Sequence, residues 1–230
     1  MTNIQDRILF EDNHLLIINH SAGELVQGDK TGDAPLIDTL KDFIKERDGK
    51  PGNVYLGSPH RLDRPVSGIV IFTKTSKALS RMSRKFHDKE IEKTYWAIVY
   101  QKPEVPEARL EGWMNKNVKQ NKSYVSDSEQ KDYKKASLSY RLLSSSDRYH
   151  LLEVRLETGR HHQIRVQLAH MRCIIKGDLK YGAPRSNPDA SIGLHARQAK
   201  FTHPVTQEVI TLKAPVPEDE LWRYFEENAG

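Results

Sequence analysis

The sequence predicts an α+β protein, built on a mixed, largely antiparallel central β-sheet flanked by helices around a central cleft. Short alternating or wholly apolar runs outnumber segments with helical spacing. The links between them are mostly short, and strands do not alternate regularly with helices, which argues against a βαβ fold. No internal repeat and no convincing linker interrupts the 230 residues, so residues 1–230 are expected to form a single domain.

Taken in order, "RILFED" and "HLLIINH" predict two strands turning about Asn13. "GDKTGDAP" is a loop rich in turn formers, and "LIDTLKDFIKER" repeats apolar residues at helical spacing. "GIVIFTK" predicts a strand. Thr75 or Ser76 then caps a helix with an apolar stripe of Ala78, Leu79, Met82 and Phe86 and a basic face of Arg81, Arg84, Lys85 and Lys89. "EKTYWAIVY", "ARLEGWM", "KASLSYRLLSS" and "YHLLEVRLE" predict strands, and the polar stretch between the second and third is a flexible arm or an inserted hairpin. A short helix is expected over "HHQIRVQLAHM", strands over "CIIKG", "LHARQAKF" and "EVITLKA", and a last helix from near Pro217.

Composition narrows the function classes. No apolar run approaches the ~20 residues of a membrane span. The N-terminal stretch lacks a basic segment followed by an apolar one and a cleavage site, so a cytoplasmic location is expected. One cysteine, Cys173, excludes an intramolecular disulfide and a cysteine metal cluster; it is expected as a small buried hydrophobe. The net charge of +5 makes a polyanionic partner plausible, and basic residues cluster in "KTSKALSRMSRKFHDKEIEK" and "NKNVKQNKSY".

The segment "PHRLDRPVSG" places Asp63 between Arg61 and Arg64, with His60 before them and Pro65 after. Pro65 offers no N–H to a ladder, so this backbone is expected to leave the sheet and present its side chains to a cleft. A neighbouring arginine typically lowers an aspartate pKa by ~1–3 units. Such a carboxylate suits a nucleophile or general base; a structural ion pair at a loop is the plain alternative. Further on, "GRHHQIRVQLAHMRCIIKGDLKYG" supplies Arg160, His161, His162, Arg165 and Arg172, and "GLHARQAKF" supplies Leu194 and His195. The two adjacent histidines have no carboxylate or third histidine at ligand spacing, so no metal is expected. His195 and His203 are expected to be structural, and Trp96 and Trp113 to fill the core.

These segments resemble the RluA-type family of RNA pseudouridine synthases. "HRLDRPVSG" is similar to that family's catalytic-aspartate motif, "EKTYWAIV" to its tyrosine strand, "GRHHQIRVQLAHMRCIIKGDLKYG" to its arginine motif and "LHARQAKFTHPVTQEVITLKAPVP" to its C-terminal block. The resemblance implies that Asp63 is the catalytic aspartate, that Tyr95 contacts the target base and that Arg165 pairs with the Asp63 carboxylate. Arg61 resembles the arginine that fills the space left by an extruded base; His60, Arg64, Arg160, His162 and Leu194 are further substrate-binding candidates. It implies isomerisation of uridine to pseudouridine in ribosomal or transfer RNA, without redox change and without a cofactor. A catalytically silent RNA-binding or RNA-remodelling protein is the alternative. No membrane and no obligate protein partner are expected, and a monomer suits the type. Three departures stand out: His20 and Ser21 replace the usual Lys-Pro, Pro65 and Val66 replace Asp-Thr, and His161 replaces a threonine. The accessory RNA-binding domain that precedes the catalytic domain in many relatives is not expected, since the catalytic pattern begins by Arg7.

Overall fold

Strand-forming runs and turn chemistry set the elements seen in the computed structural model, which describes residues 3–28 and 32–229. In chain order these are a 3-10 turn (Ile4–Arg7), β1 (Ile8–Glu11), β2 (Leu15–His20), α1 (Leu36–Arg47), β3 (Ser67–Thr73), α2 (Ser76–His87), β4 (Glu92–Val99), β5 (Glu107–Asn117) and β6 (Lys122–Ser126). Then come β7 (Lys134–Ser145), β8 (His150–Leu156), α3 (Gln163–His170), a second 3-10 turn (Leu179–Tyr181), β9 (Leu194–Thr202), β10 (Val209–Lys213) and α4 (Glu220–Asn228). The chain divides into two compact units, Met1–Ile91 with Gln198–Pro215, and Glu92–Arg197 with Val216–Gly230.

In the first unit β2 pairs antiparallel with both β1 and β3, and β9 pairs antiparallel with β10. β2 and β3 are buried almost throughout, as their continuous apolar runs require. The Thr75 hydroxyl accepts from Ala78 N at 3.1 Å and starts α2, as the sequence predicts. Within the α2 stripe Ala78 and Met82 are fully buried, while Leu79 and Phe86 are half-buried. Met82 packs with Leu15, Ile17, Ile69, Ile71, Ala199 and Phe201. Burying one such side chain contributes roughly 1.5–3 kcal/mol, so this cluster is a substantial source of the unit's cohesion. Asp29, Lys30 and Thr31 of the predicted loop lie outside the described residues.

In the second unit the strands run β4-β8-β7-β5-β6, each antiparallel to its neighbour. Trp222 and Phe225 of α4 pack against Trp96, Ile98 and Leu151 of this sheet. Val166 of α3 packs with Met114, Ala136 and Tyr181. α3 is buried on nearly every side, including Gln163, Arg165 and Gln167.

Two expectations change, and one left open is resolved. "CIIKG" forms no strand, only an isolated bridge from Ile175 to Val99, because Gly177 at φ +82° turns the chain away. A Cβ on Gly177 would lie 2.8 Å from Ser191 O, so the turn depends on glycine. α4 starts at Glu220, not near Pro217, because the Asp219 carboxylate accepts from Leu221 N and Trp222 N at 3.0 and 3.2 Å. The polar stretch is the hairpin of β5 and β6, the second of its two readings. Cys173, His195 and His203 are buried; burial pushes the Cys173 thiol up to about 11. Trp96 is core, under the Arg197 guanidinium 4.5 Å from its ring centre, whereas Trp113 is half-buried.

Candidate active site

Asp63 sits half-buried at the start of a turn closed by Val66 N donating to Asp63 O at 2.9 Å. A second turn, Ser21–Glu24, grips the first from the side. Gly23 N donates to Arg64 O at 2.7 Å, and Arg64 Nε donates back to Gly23 O at 2.8 Å. Gly23 has φ +97°, a conformation that side-chain-bearing residues adopt only with strain. Arg64 also pairs with Asp33 at 2.8 Å, both groups exposed.

His20, one of the departures from the family pattern, completes this arrangement. It ends β2, is 1% exposed, and places Nδ1 2.9 Å from Val66 O and Nε2 3.1 Å from Glu24 O. Both neighbours are acceptors. Burial lowers the imidazole pKa and the nearby Arg7 lowers it further, against the pull of Glu24 and the two carbonyls. A neutral ring has one N–H and donates to only one of the two carbonyls, so the buried side chain ties one turn to the end of β2 by a hydrogen bond and packs against the other.

The flanking residues of the aspartate segment divide by role. Ile71 N donates to His60 Nε2 at 2.9 Å, and the His60 ring stacks on Phe86 with centres 4.5 Å apart. This anchors the entry to the turn against β3 and α2. Arg61 is exposed and makes no hydrogen bond or ion pair among the described residues, which leaves its guanidinium available. Leu62 is buried and fixes the alternation between them.

Tyr95, Arg160, His162, Arg165 and Leu194 belong to the second unit. Tyr95 is buried in β4 opposite Val154. Lys93 lies two residues earlier on the same face, and burial holds its ammonium down to about 8. Leu194 opens β9 and is buried; Gly193 before it accepts from Ile98 N at 2.7 Å, an approach where a Cβ would lie 3.0 Å from Ile98 O.

Arg165 is 5% exposed on α3 and forms a two-pronged pair with Asp178, Nε to Oδ2 at 2.7 Å and Nη2 to Oδ1 at 2.8 Å. Asp178 is 1% exposed, and Arg165 lies 5.2 Å from the centre of the Tyr181 ring. Sequence reasoning does not single out Asp178 or Tyr181, although both lie inside "GDLKYG"; the available signal is an acidic residue directly after a turn glycine, thirteen positions past Arg165. The Tyr181 hydroxyl lies 2.9 Å from His162 Nδ1 and accepts from Ser123 N at 2.9 Å. His162 holds the left-handed conformation at the N-cap of α3 and stacks on His161 at 3.7 Å. Burial, and then the Arg165 charge, push its pKa down to about 2, so the ring is neutral at physiological pH. Arg160 is exposed, and its Nε donates to Lys135 O at 3.2 Å. Among the described residues no group of three or more His, Cys, Asp or Glu side chains could hold a metal ion, and no helix is long and apolar enough to cross a membrane.

A family profile described as RNA pseudouridylate synthase matches residues 14–170. The chain is 34% identical over 224 residues to an uncharacterised RNA pseudouridine synthase of Synechocystis, covering 94% of this chain and 67% of that protein. It is 30% identical over 247 residues to tRNA pseudouridine synthase C of Vibrio parahaemolyticus, covering 97% and 94%. It is 33% identical over 234 residues to ribosomal large subunit pseudouridine synthase D of Xylella fastidiosa, covering 92% and 66%. Among solved structures, human RNA pseudouridylate synthase domain containing 4 superposes with a TM-score of 0.80 at 23% identity, covering 95% of this chain and 92% of that one. That likeness is one of fold.

Proposed function

Because the chain belongs to the RNA pseudouridylate synthase family, we propose that it converts particular uridines of ribosomal or transfer RNA to pseudouridine, with Asp63 as the essential carboxylate. The reaction is an isomerisation. The bond from uracil N1 to ribose C1′ breaks, the base turns, and C5 bonds to C1′; C5 gives up its proton and N1 gains one. Atoms and electrons balance within the nucleoside, so the protein has to supply positioning, charge and a hold on the detached base.

The observation that carries this reading is the doubly braced Asp63 turn, tied to the Ser21–Glu24 turn by Gly23, Arg64 and His20. A carboxylate on so fixed a backbone meets a reacting atom without reorganising, which is where intramolecular catalysis gains most. We assign Arg61, with its available guanidinium, to the space vacated by the target base. Extrusion of that base costs on the order of a few kcal/mol, so a group that replaces its stacking lowers the cost. We assign Tyr95 to contact with the uracil and Arg165 to charge support of the carboxylate. His60, Arg64, Arg160, His162 and Leu194 shape and brace the site. We read residues 1–230 as one catalytic domain that acts in the cytoplasm as a monomer.

The decisive variant is Asp63→Asn, assayed by mass spectrometry of RNA from cells lacking the protein. Pseudouridine formation should disappear while RNA affinity stays within a few fold of wild type. Normal turnover by Asp63→Asn overturns the assignment. Wild-type protein that binds RNA but adds no pseudouridine to the full RNA pool overturns the activity itself.

A further inference from the structure

Residues 115–124, "NKNVKQNKSY", form the end of the β5–β6 hairpin and carry three lysines and no acidic residue. Several cations elsewhere on the same sheet are paired where they stand. Arg109 pairs with Glu111 and Glu157, Lys135 reaches Glu111 at 3.6 Å, and Arg141 and Arg155 share Glu153 at 3.5 and 3.1 Å. Lys116, Lys119 and Lys122 have no carboxylate partner among the described residues. Lys180, from the second 3-10 turn, donates to Asn121 O at 3.0 Å and adds a fourth such charge. Four cations without a carboxylate partner among the described residues therefore gather at the end of this hairpin.

The hairpin is also unusually well fixed for a projecting loop. Five residue pairs hold its register, from Trp113↔Ser126 to Asn117↔Lys122. Gln120 N donates to Asn117 Oδ1 at 3.1 Å, and Asn121 takes the left-handed conformation at φ 45° that asparagine tolerates. Ser123 bolts it down: its N–H reaches the Tyr181 hydroxyl, and its Oγ donates to His161 O at 2.7 Å and lies 2.8 Å from His161 Nδ1. His161 Nε2 lies 3.1 Å from Asn121 Oδ1. His161, where the family pattern has a threonine, thus links the hairpin tip to the segment that carries Arg165.

The outer surface carries groups suited to a nucleic acid. Tyr124 is 40% exposed, with its hydroxyl donating to Gln120 Oε1 at 2.6 Å, and Val118 is 78% exposed. Lys122 is half-buried, its ammonium 5.8 Å over the centre of the Tyr124 ring and 5.4 Å over that of Tyr181. Lysines beside an exposed aromatic ring fit a phosphate backbone with a base stacked beside it. An acidic protein surface would meet the charge but would leave the ring without a π-face to stack on.

We propose that this hairpin is a rigid RNA-gripping arm whose Lys116, Lys119 and Lys122 contact phosphates flanking the target uridine, with Tyr124 as a stacking platform. The inference rests on the reading of the chain as an RNA-modifying enzyme. Its position beside the Arg165 segment lets it hold the strand while leaving the chemistry to other residues.

The test compares wild type with K116Q/K119Q/K122Q, and with K41Q/K45Q/K50Q on and just after α1, which removes equal charge elsewhere. Affinity for a fluorescein-labelled unmodified RNA stem-loop is measured by anisotropy across a salt series, and turnover on RNA from cells lacking the protein. The hairpin variant should bind about tenfold or more weakly near 0.1 M salt. The slope of log affinity against log salt should fall by about 2–3, at roughly 0.7–0.9 for each phosphate left without its lysine. Its turnover at saturating RNA should stay within twofold, and the α1 variant should show a smaller change in slope. Unchanged affinity and slope in the hairpin variant overturn the arm while leaving the enzyme reading intact. Equal slope changes in both variants overturn it too, since net charge would then be the cause. Wild type that neither binds nor converts RNA overturns the reading beneath it.

Discussion

Substituting Asp178 by alanine removes both acceptors from Arg165 Nε and Nη2 in a place where water cannot replace them. The two side chains are 5% and 1% exposed, and their contacts at 2.7 and 2.8 Å have the geometry of a forked guanidinium–carboxylate pair. Taking one partner from a buried pair costs about 3–5 kcal/mol, because the remaining charge keeps its desolvation penalty. For a chain of this size each kcal/mol corresponds to roughly 2–4 °C in the melting temperature, so Asp178→Ala should melt about 6–20 °C lower. Asp178→Asn keeps one acceptor oxygen and its size but loses the charge, and should cost about 1.5–3 kcal/mol. Circular dichroism melts and urea titrations of the three proteins measure the order wild type, Asn, Ala. Tyr181 gives a control: the Arg165 guanidinium lies 5.2 Å from its ring centre, and Tyr181→Phe keeps that ring while removing only the hydroxyl, so it should leave the Arg165–Asp178 pair in place. If Asp178→Ala melts within 2 °C of wild type, the pair does not hold α3 to the 178–181 turn, and Arg165 must be positioned by other contacts.

Two further outcomes follow from the histidines. His162 has its pKa lowered from 6.5 to about 2 in the folded chain, so the unfolded chain takes up a proton first as pH falls. Stability from this residue is complete above pH 6.5 and is lost below it, at about 1.4 kcal/mol per pH unit. Between pH 6.5 and 5, wild type should therefore lose about 2 kcal/mol more than His162→Gln by urea titration at each pH; parallel curves refute the neutral, buried ring. His20→Phe keeps a ring at the end of β2 but has no donor for Val66 O or Glu24 O. Its single-turnover rate should fall roughly tenfold with RNA affinity nearly unchanged, since a loosened Asp63 turn costs orientation and not binding. An equal rise in dissociation constant with no loss of rate would show that His20 serves RNA binding instead.

Local chemistry explains which parts of the chain are legible in the sequence. The spans of α1, α2, β2, β3, β4 and β8 follow from apolar periodicity within a residue or two, because burial of one face and the Thr75 cap act over short distances. The start of α4 departs from the expectation because Asp219, not Pro217, satisfies the first free N–H groups. "CIIKG" has the composition of a strand, yet the backbone reversal at Gly177 overrides that preference.

The residues we assign to the proposed chemistry, and their order in the chain, are properties of the sequence: Asp63 beside two arginines, Tyr95 in a strand, Arg165 on a short helix. What surrounds them is not. Asp178 becomes the partner of Arg165 only because α3 and the turn after Gly177 pack against each other, and His20 reaches Val66 O only because β2 and β3 pair in one register. Periodicity records how each element meets solvent, whereas these contacts join residues 13 and 46 positions apart through buried polar groups whose energetics depend on the packed interior.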